Sequence, residues 1–250
     1  MNVLENICYV ERENKKLMLD IYLPQASSFP VFLFFHGGGI EAGDKTAARS
    51  FAQYLTERGV AVVSADYRMY PSAKYPDFVE DAAEAVYWVS EHINRYGSCQ
   101  KLFVGGSSAG GYLSMMLCFD ARWLAPYGKL QVPVCGYFHN AGQPTCHYNV
   151  LKKERGLSHK RVIVDESAPI YHVGEAEEYP PMHFVVSDND MDCRYEQTML
   201  MLATLKHFGY APEKIGFTLA HGKHCQHDRT TDENGDNLLG KMLFEFIQKW

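Results

Sequence analysis

Six short apolar runs punctuate the chain, at residues 31–35, 60–65, 102–105, 132–137, 183–187 and 215–220. Each is continuous rather than alternating, which is the pattern of strands covered on both faces. Stretches of helical character lie between or after them, at 45–58, 78–93, 110–119, 194–208 and 236–249. Near the start, segments 7–11 and 17–22 flank a polar turn at 12–16 and read as a hairpin. Strands alternating with helices through right-handed crossovers predict an α/β fold: a mostly parallel central sheet with helices on both faces. No repeat, low-complexity tract or long linker interrupts the pattern, so residues 1–250 are expected to form one domain.

In such sheets ligands gather at the carboxyl ends of the strands, so the residues just after each run carry the information. After the first run comes His36-Gly37-Gly38-Gly39. Three residues without Cβ let backbone N–H groups approach a ligand closely, and such groups stabilise a developing oxyanion. After the third run comes Gly106-Ser107-Ser108-Ala109-Gly110. The frame Gly-x-Ser-x-Gly fits one register only, because centring it on Ser107 would need glycine at Ala109. Ser108 is therefore the expected nucleophile, on a sharp strand-to-helix turn, with the Ala109 N–H beside it in the oxyanion site. The fifth run is followed by three carboxylates, Asp188, Asp190 and Asp192. The sixth is followed by three imidazoles, His221, His224 and His227. The chain order is thus Ser, Asp, His.

Together these residues resemble the α/β-hydrolases, in the hormone-sensitive-lipase-like esterase group, and are similar to small carbohydrate esterases of the acetylxylan or feruloyl type. The resemblance is carried by His36 to Gly39 with Gly43-Asp44-Lys45, and by Asp66-Tyr67-Arg68 with Pro71. Tyr75-Pro76 through Glu80-Asp81, the serine frame with Gly111, and Ser167-Ala168-Pro169-Ile170 add to it. It implies that Asp190, in Ser187-Asp188-Asn189-Asp190, is the triad acid and that His224, in Gly222-Lys223-His224, is the base, with His221 as the alternative. It also implies that Gly38, Gly39 and Ala109 supply the oxyanion N–H groups. The implied activity is hydrolysis of short-chain acyl esters, including acetyl esters of sugars, with no cofactor and no metal. The chain departs from the family at Ile40, where an aromatic is common, at Ser107, where an acid is frequent, and at Cys225-Gln226, which replaces Gly-Phe. With 35 residues before His36, the long N-terminal cap of many lipase-like members is expected to be missing or reduced. Residues 138–181 are then the expected lid or substrate wall, with Tyr137, Phe138, His139, Tyr148, Tyr171 and His172 in or beside it. Asp66 and Arg68 are expected to form a structural polar pair, with Asp81 as an anchor and Asp44-Lys45 at a helix start.

Composition narrows the partners. A net charge of −6 argues against nucleic acid, which usually needs a basic face. No segment has the length of an apolar membrane span and no leader pattern is present, so the expected partner is a small-molecule ester, including an acylated carbohydrate, and not a membrane. Seven cysteines without a Cys-x-x-Cys pair suit reduced thiols in the cytoplasm. Three other readings compete. His221, His224, Cys225 and His227 are of types that zinc accepts, though their spacing matches no zinc signature. An exopeptidase-like serine hydrolase would share the triad. A non-catalytic binding protein on the same fold would lack a member of it. Oligomeric state is not encoded in these patterns.

Overall fold

All five residues of Val31–Phe35 are buried, and their side chains leave the strand on alternate sides. Val31, Leu33 and Phe35 join one apolar cluster while Phe32 and Phe34 join another. A strand with a core on each side can only sit inside a covered sheet, and the computed structural model, which describes residues 2–12 and 15–250, places it there. The strands are β1 (Asn2–Arg12), β2 (Lys15–Leu23), β3 (Val31–Phe35), β4 (Ala61–Ala65), β5 (Leu102–Ser107), β6 (Val134–Asn140), β7 (Met182–Asn189) and β8 (Ile215–Lys223). They form one sheet in the order β1-β2-β4-β3-β5-β6-β7-β8. β2 is antiparallel to both β1 and β4, and β4 onward the pairing is parallel. Residues 13 and 14, inside the expected hairpin turn, lie outside the described residues.

The helices are α1 (Arg49–Glu57), α2 (Asp77–His92), α3 (Ala109–Phe119), α4 (Arg194–His207) and α5 (Leu238–Lys249). α1 and α5 cover one face: Phe51 and Leu55 meet Leu239, Leu243 and Phe246 over Phe32, Phe34 and Phe103. α2 and α3 fill the other face, together with Met201 and Leu205 of α4. All 11 residues of α3 are buried, as expected of a helix that is apolar all round.

Several boundaries differ from the expected ones, and two of them have clear local reasons. The expected helix at 45–58 begins as a tight 3-10 turn, Lys45–Ala48, because the Asp44 side chain accepts the Thr46 N–H at 2.7 Å and caps it. The last helix starts at Leu238 rather than 236, because Asn237 takes the N-cap and accepts the Gly240 N–H at 2.8 Å. The stretch 138–181 also begins inside a strand. Phe138, His139 and Asn140 are strand residues of β6, paired with His183, Phe184 and Val185 of β7.

Candidate active site

β5 ends at Ser107 and α3 starts at Ala109, so Ser108 alone makes the turn. Its φ of 55° and ψ of −111° lie outside the regions open to ordinary L-residues, a strain that the packing around it must hold. The flanking glycines leave no room for side chains. A Cβ on Gly110 would stand 1.8 Å from the Phe35 carbonyl oxygen. The neighbouring Ser107 is turned away into the interior, where its Oγ accepts from Asn140 Nδ2 at 2.8 Å. Of the two adjacent serines, Ser108 is the one bonded to a histidine.

His224 Nε2 stands 2.8 Å from Ser108 Oγ. Its other nitrogen, Nδ1, is 2.5 Å from Asp190 Oδ1. Asp190 hangs from the end of β7 and also accepts the N–H groups of Ser187 (3.0 Å) and Met191 (2.8 Å). Burial alone would raise its carboxyl pKa. The bonds and charge of His224 and the two N–H groups outweigh burial and hold it below the usual value. The alternative base, His221, points elsewhere: its Nδ1 pairs with Asp188 at 2.7 Å, and its side chain is 97% exposed. Asp192 is exposed and does not reach His224.

The glycine loop lies against the serine. A Cβ on Gly37 would come within 3.3 Å of Ser108 Cβ. Gly38 has φ of 110°, and a Cβ there would stand 1.9 Å from the Ala42 carbonyl oxygen, so only glycine makes this turn. The loop's peptides are fixed by their carbonyls. Gly37 O accepts from His36 Nδ1 at 2.7 Å, and Gly38 O accepts from the Glu41 and Ala42 N–H groups at 3.1 Å each. In a trans peptide the N–H points opposite the carbonyl, so the N–H groups of Gly38 and Gly39 are turned away from those contacts. Ala109, first residue of α3, has an N–H without an acceptor inside its helix. His36 is buried, and burial lowers its pKa. It stacks on Tyr67, with centroids 4.4 Å apart, and acts as a brace for the loop.

Gly37, Gly38, Gly39, Ser108 and His224 line one cavity of about 560 Å³. Phe34, Phe51 and Ala47 form its apolar part, while Ser50, Tyr148, Asp228 and Arg229 bring polar groups. Of the six aromatic side chains considered for a substrate wall, Tyr148 alone lines it. Tyr137, Phe138, His139 and His172 are buried in packing, and Tyr171 is exposed.

Sequence reasoning missed Asp228. Its Oδ1 accepts from Asn140 Nδ2 at 2.8 Å, and Asn140 Oδ1 is 2.7 Å from His227 Nε2. Burial raises the Asp228 carboxyl pKa, against His227 and the bonds from Ser107 and Asn140. The rule of reading strand ends could have found Asn140, the last residue of β6. Cys225 also faces the site, with Sγ 3.7 Å from His224 Nε2. Its thiol pKa is pushed well up by burial. His221, His224 and His227 turn to three different partners, so the zinc reading finds no common point among them. Asp66 and Arg68 do not pair with each other. Asp66 accepts the Lys45 N–H at 2.8 Å, while Arg68 Nε binds buried Asp81 at 2.7 Å, because α2 presents Asp81 to it.

The chain is similar to known esterases. The BD-FAE family model matches residues 19–124, a span that contains the glycine loop and Ser108. Esterase LipI of Mycobacterium tuberculosis is 39% identical over 101 residues, covering 40% of this chain and 32% of its own length. Carboxylic ester hydrolase LipN of the same organism is 37% identical over 108 residues, or 42% of this chain and 29% of its own. A propionate-bound thermophilic esterase of Thermogutta terrifontis superposes with a TM-score of 0.75 at 25% identity, covering 98% of this chain and 92% of that one. The chain belongs to the α/β-hydrolases. It spans about a third of the length of the first curated relatives it matches. A further α/β-hydrolase, esterase B of Lactobacillus rhamnosis, shares the fold at a TM-score of 0.78 and 18% identity, covering 99% of this chain and 85% of that one. Among the described residues, no helix of this α/β-hydrolase is long and apolar enough to cross a membrane.

Proposed function

We propose that the protein is a serine carboxylesterase that hydrolyses short-chain acyl esters through Ser108, His224 and Asp190. The observation that carries this reading is the pair of hydrogen bonds on His224: Ser108 Oγ on one nitrogen and Asp190 on the other. Ser108 attacks the ester carbonyl while His224 Nε2 takes its proton. Asp190 holds the proton on Nδ1 and stabilises the imidazolium. The N–H groups of Gly38, Gly39 and Ala109 receive the oxyanion, each donor being worth about 2.7–4 kcal/mol. His224 then protonates the leaving alcohol, and water releases the acyl group by the same steps.

The cavity walls support the substrate class. Phe34 and Phe51 suit a small apolar acyl group, and Asp228 and Arg229 suit a hydroxylated alcohol such as a sugar. The segment after β6, with Tyr148, serves as the substrate wall of a single-domain enzyme. Hydrolysis of p-nitrophenyl acetate, butyrate and octanoate by the protein and by Ser108→Ala tests the reading. Turnover that falls with chain length and vanishes in the variant supports it. Octanoate cleaved faster than acetate would remove the short-chain assignment, and activity retained without Ser108 would remove the serine mechanism.

A further inference from the structure

A second cavity, of about 420 Å³, adjoins the catalytic one, and Tyr148 and Met191 line both. Its floor carries a buried polar network. Gln143 Nε2 donates to Thr145 Oγ1 at 3.2 Å, and Thr145 Oγ1 donates to Gln197 Oε1 at 2.9 Å. Arg194 donates to the Ala141 carbonyl and, at 3.4 Å, to Gln143 Oε1. Arg194 and Gln143 are each 4% exposed. Burying a guanidinium is costly unless an anion pairs with it, yet both of these acceptors are neutral. Among the described residues no carboxylate lies within ion-pair distance of Arg194. Burial lowers its pKa, and Asp190, already engaged by His224, offsets this only in part.

The rim carries more positive charge. Lys160 and Arg161 are exposed on the loop before β7 and line the opening. Neither forms an ion pair among the described residues. Asp192 is the carboxylate on this rim, which leaves three cations facing one anion. A polar floor with an uncompensated guanidinium and two free cations at the mouth is complementary to an oxyanionic ligand.

We propose that this cavity is a subsite for an oxyanionic group on the substrate, a carboxylate being the simplest. Arg194 holds it from below and Lys160 and Arg161 from the rim, while the ester of the same molecule lies at Ser108. The location of the ester rests on the esterase reading above, whereas the anion's binding does not. The shared wall of Tyr148 and Met191 lets one molecule reach both cavities. The charge stands on either the acyl or the alcohol part of the ester, and the two parts are separable by experiment.

The test compares two pairs of esters. Monomethyl glutarate against methyl 4-carbamoylbutanoate puts the charge on the acyl part. 4-Acetoxybenzoate against 4-acetoxybenzamide puts it on the alcohol part. One pair is expected to show a charged-to-neutral ratio of kcat/KM of about tenfold or more, the least that a charge-assisted hydrogen bond supplies. That ratio is expected to fall toward one in Lys160→Ala/Arg161→Ala and to shrink in high salt. Ratios near one for both pairs, or a ratio that the double variant leaves intact, would overturn the proposal. Calorimetric titration of monomethyl glutarate into Ser108→Ala separates the two readings. Binding about tenfold tighter than the amide, without turnover of any ester by the intact protein, would leave the subsite standing and sink the esterase reading. Binding no tighter than the amide, together with no preference in the alcohol-side pair, would sink the subsite while neutral-ester turnover kept the esterase.

Discussion

Replacing Asp190 by asparagine tests the catalytic geometry with the smallest change of shape. The side chain is almost fully buried and accepts three hydrogen bonds, from His224 Nδ1, Ser187 N and Met191 N. Asparagine keeps one acceptor oxygen and puts an NH₂ in place of the other. If the NH₂ takes the Oδ1 site, it meets His224 and forces Nδ1 to accept. The proton then moves to Nε2, which can no longer take one from Ser108. If the NH₂ takes the Oδ2 site, it faces the Ser187 N–H, donor against donor, at a cost of about 1–3 kcal/mol for the unpaired group. Either way the imidazolium loses its carboxylate. We expect kcat to fall by about 10⁴ with KM little changed, which is about 5.4 kcal/mol of transition-state stabilisation. Steady-state hydrolysis of p-nitrophenyl acetate measures this, with a melting curve to show that the variant is folded. A folded Asp190→Asn enzyme that loses less than tenfold in kcat would refute the assignment of Asp190 as the orienting acid.

Three further outcomes follow from the same contacts. His221→Ala is expected to keep activity within about twofold, since exposed substitutions away from special features are mild, while His224→Ala loses it. Equal losses in esterase assays would reopen the choice of base. Gly110→Ala is expected to lower stability by about 4 kcal/mol or more, because its Cβ would collide with the Phe35 backbone. Urea unfolding with an unchanged midpoint would contradict the packing described at the turn. The Asp190 carboxyl is held below its unfolded value, so its share of stability is complete above about pH 4 and is lost as pH falls through the folded pKa. Asp190→Asn should therefore flatten the acid limb of a stability–pH curve, and an unaltered limb would contradict this.

The strands were legible because burial on both faces writes a continuous apolar run. Residues 31–35 match β3 end to end. Boundaries slipped where a polar side chain, not hydrophobicity, decided them, as at Asp44 and Asn237. The place of Ser108 at the turn was also legible, because the glycine frame has a single register. The role of Ser107 was not: its bond to Asn140 joins residues 33 positions apart. The same holds for Asp228 and for Arg194. Their meaning arises from loops meeting in space, which no local pattern records. Six aromatics in or beside residues 138–181 look equivalent along the chain, yet β6 contains three of them, all buried, and Tyr148 lies at the cavity.

The most direct test of the central claim is covalent labelling. The protein is treated with diethyl p-nitrophenyl phosphate, p-nitrophenolate release is counted, and the modified peptide is located by mass spectrometry. One phosphoryl group per chain on Ser108, with esterase activity lost in parallel, is the predicted result. A label on Ser107, or ester turnover that survives with Ser108 fully modified, would contradict it.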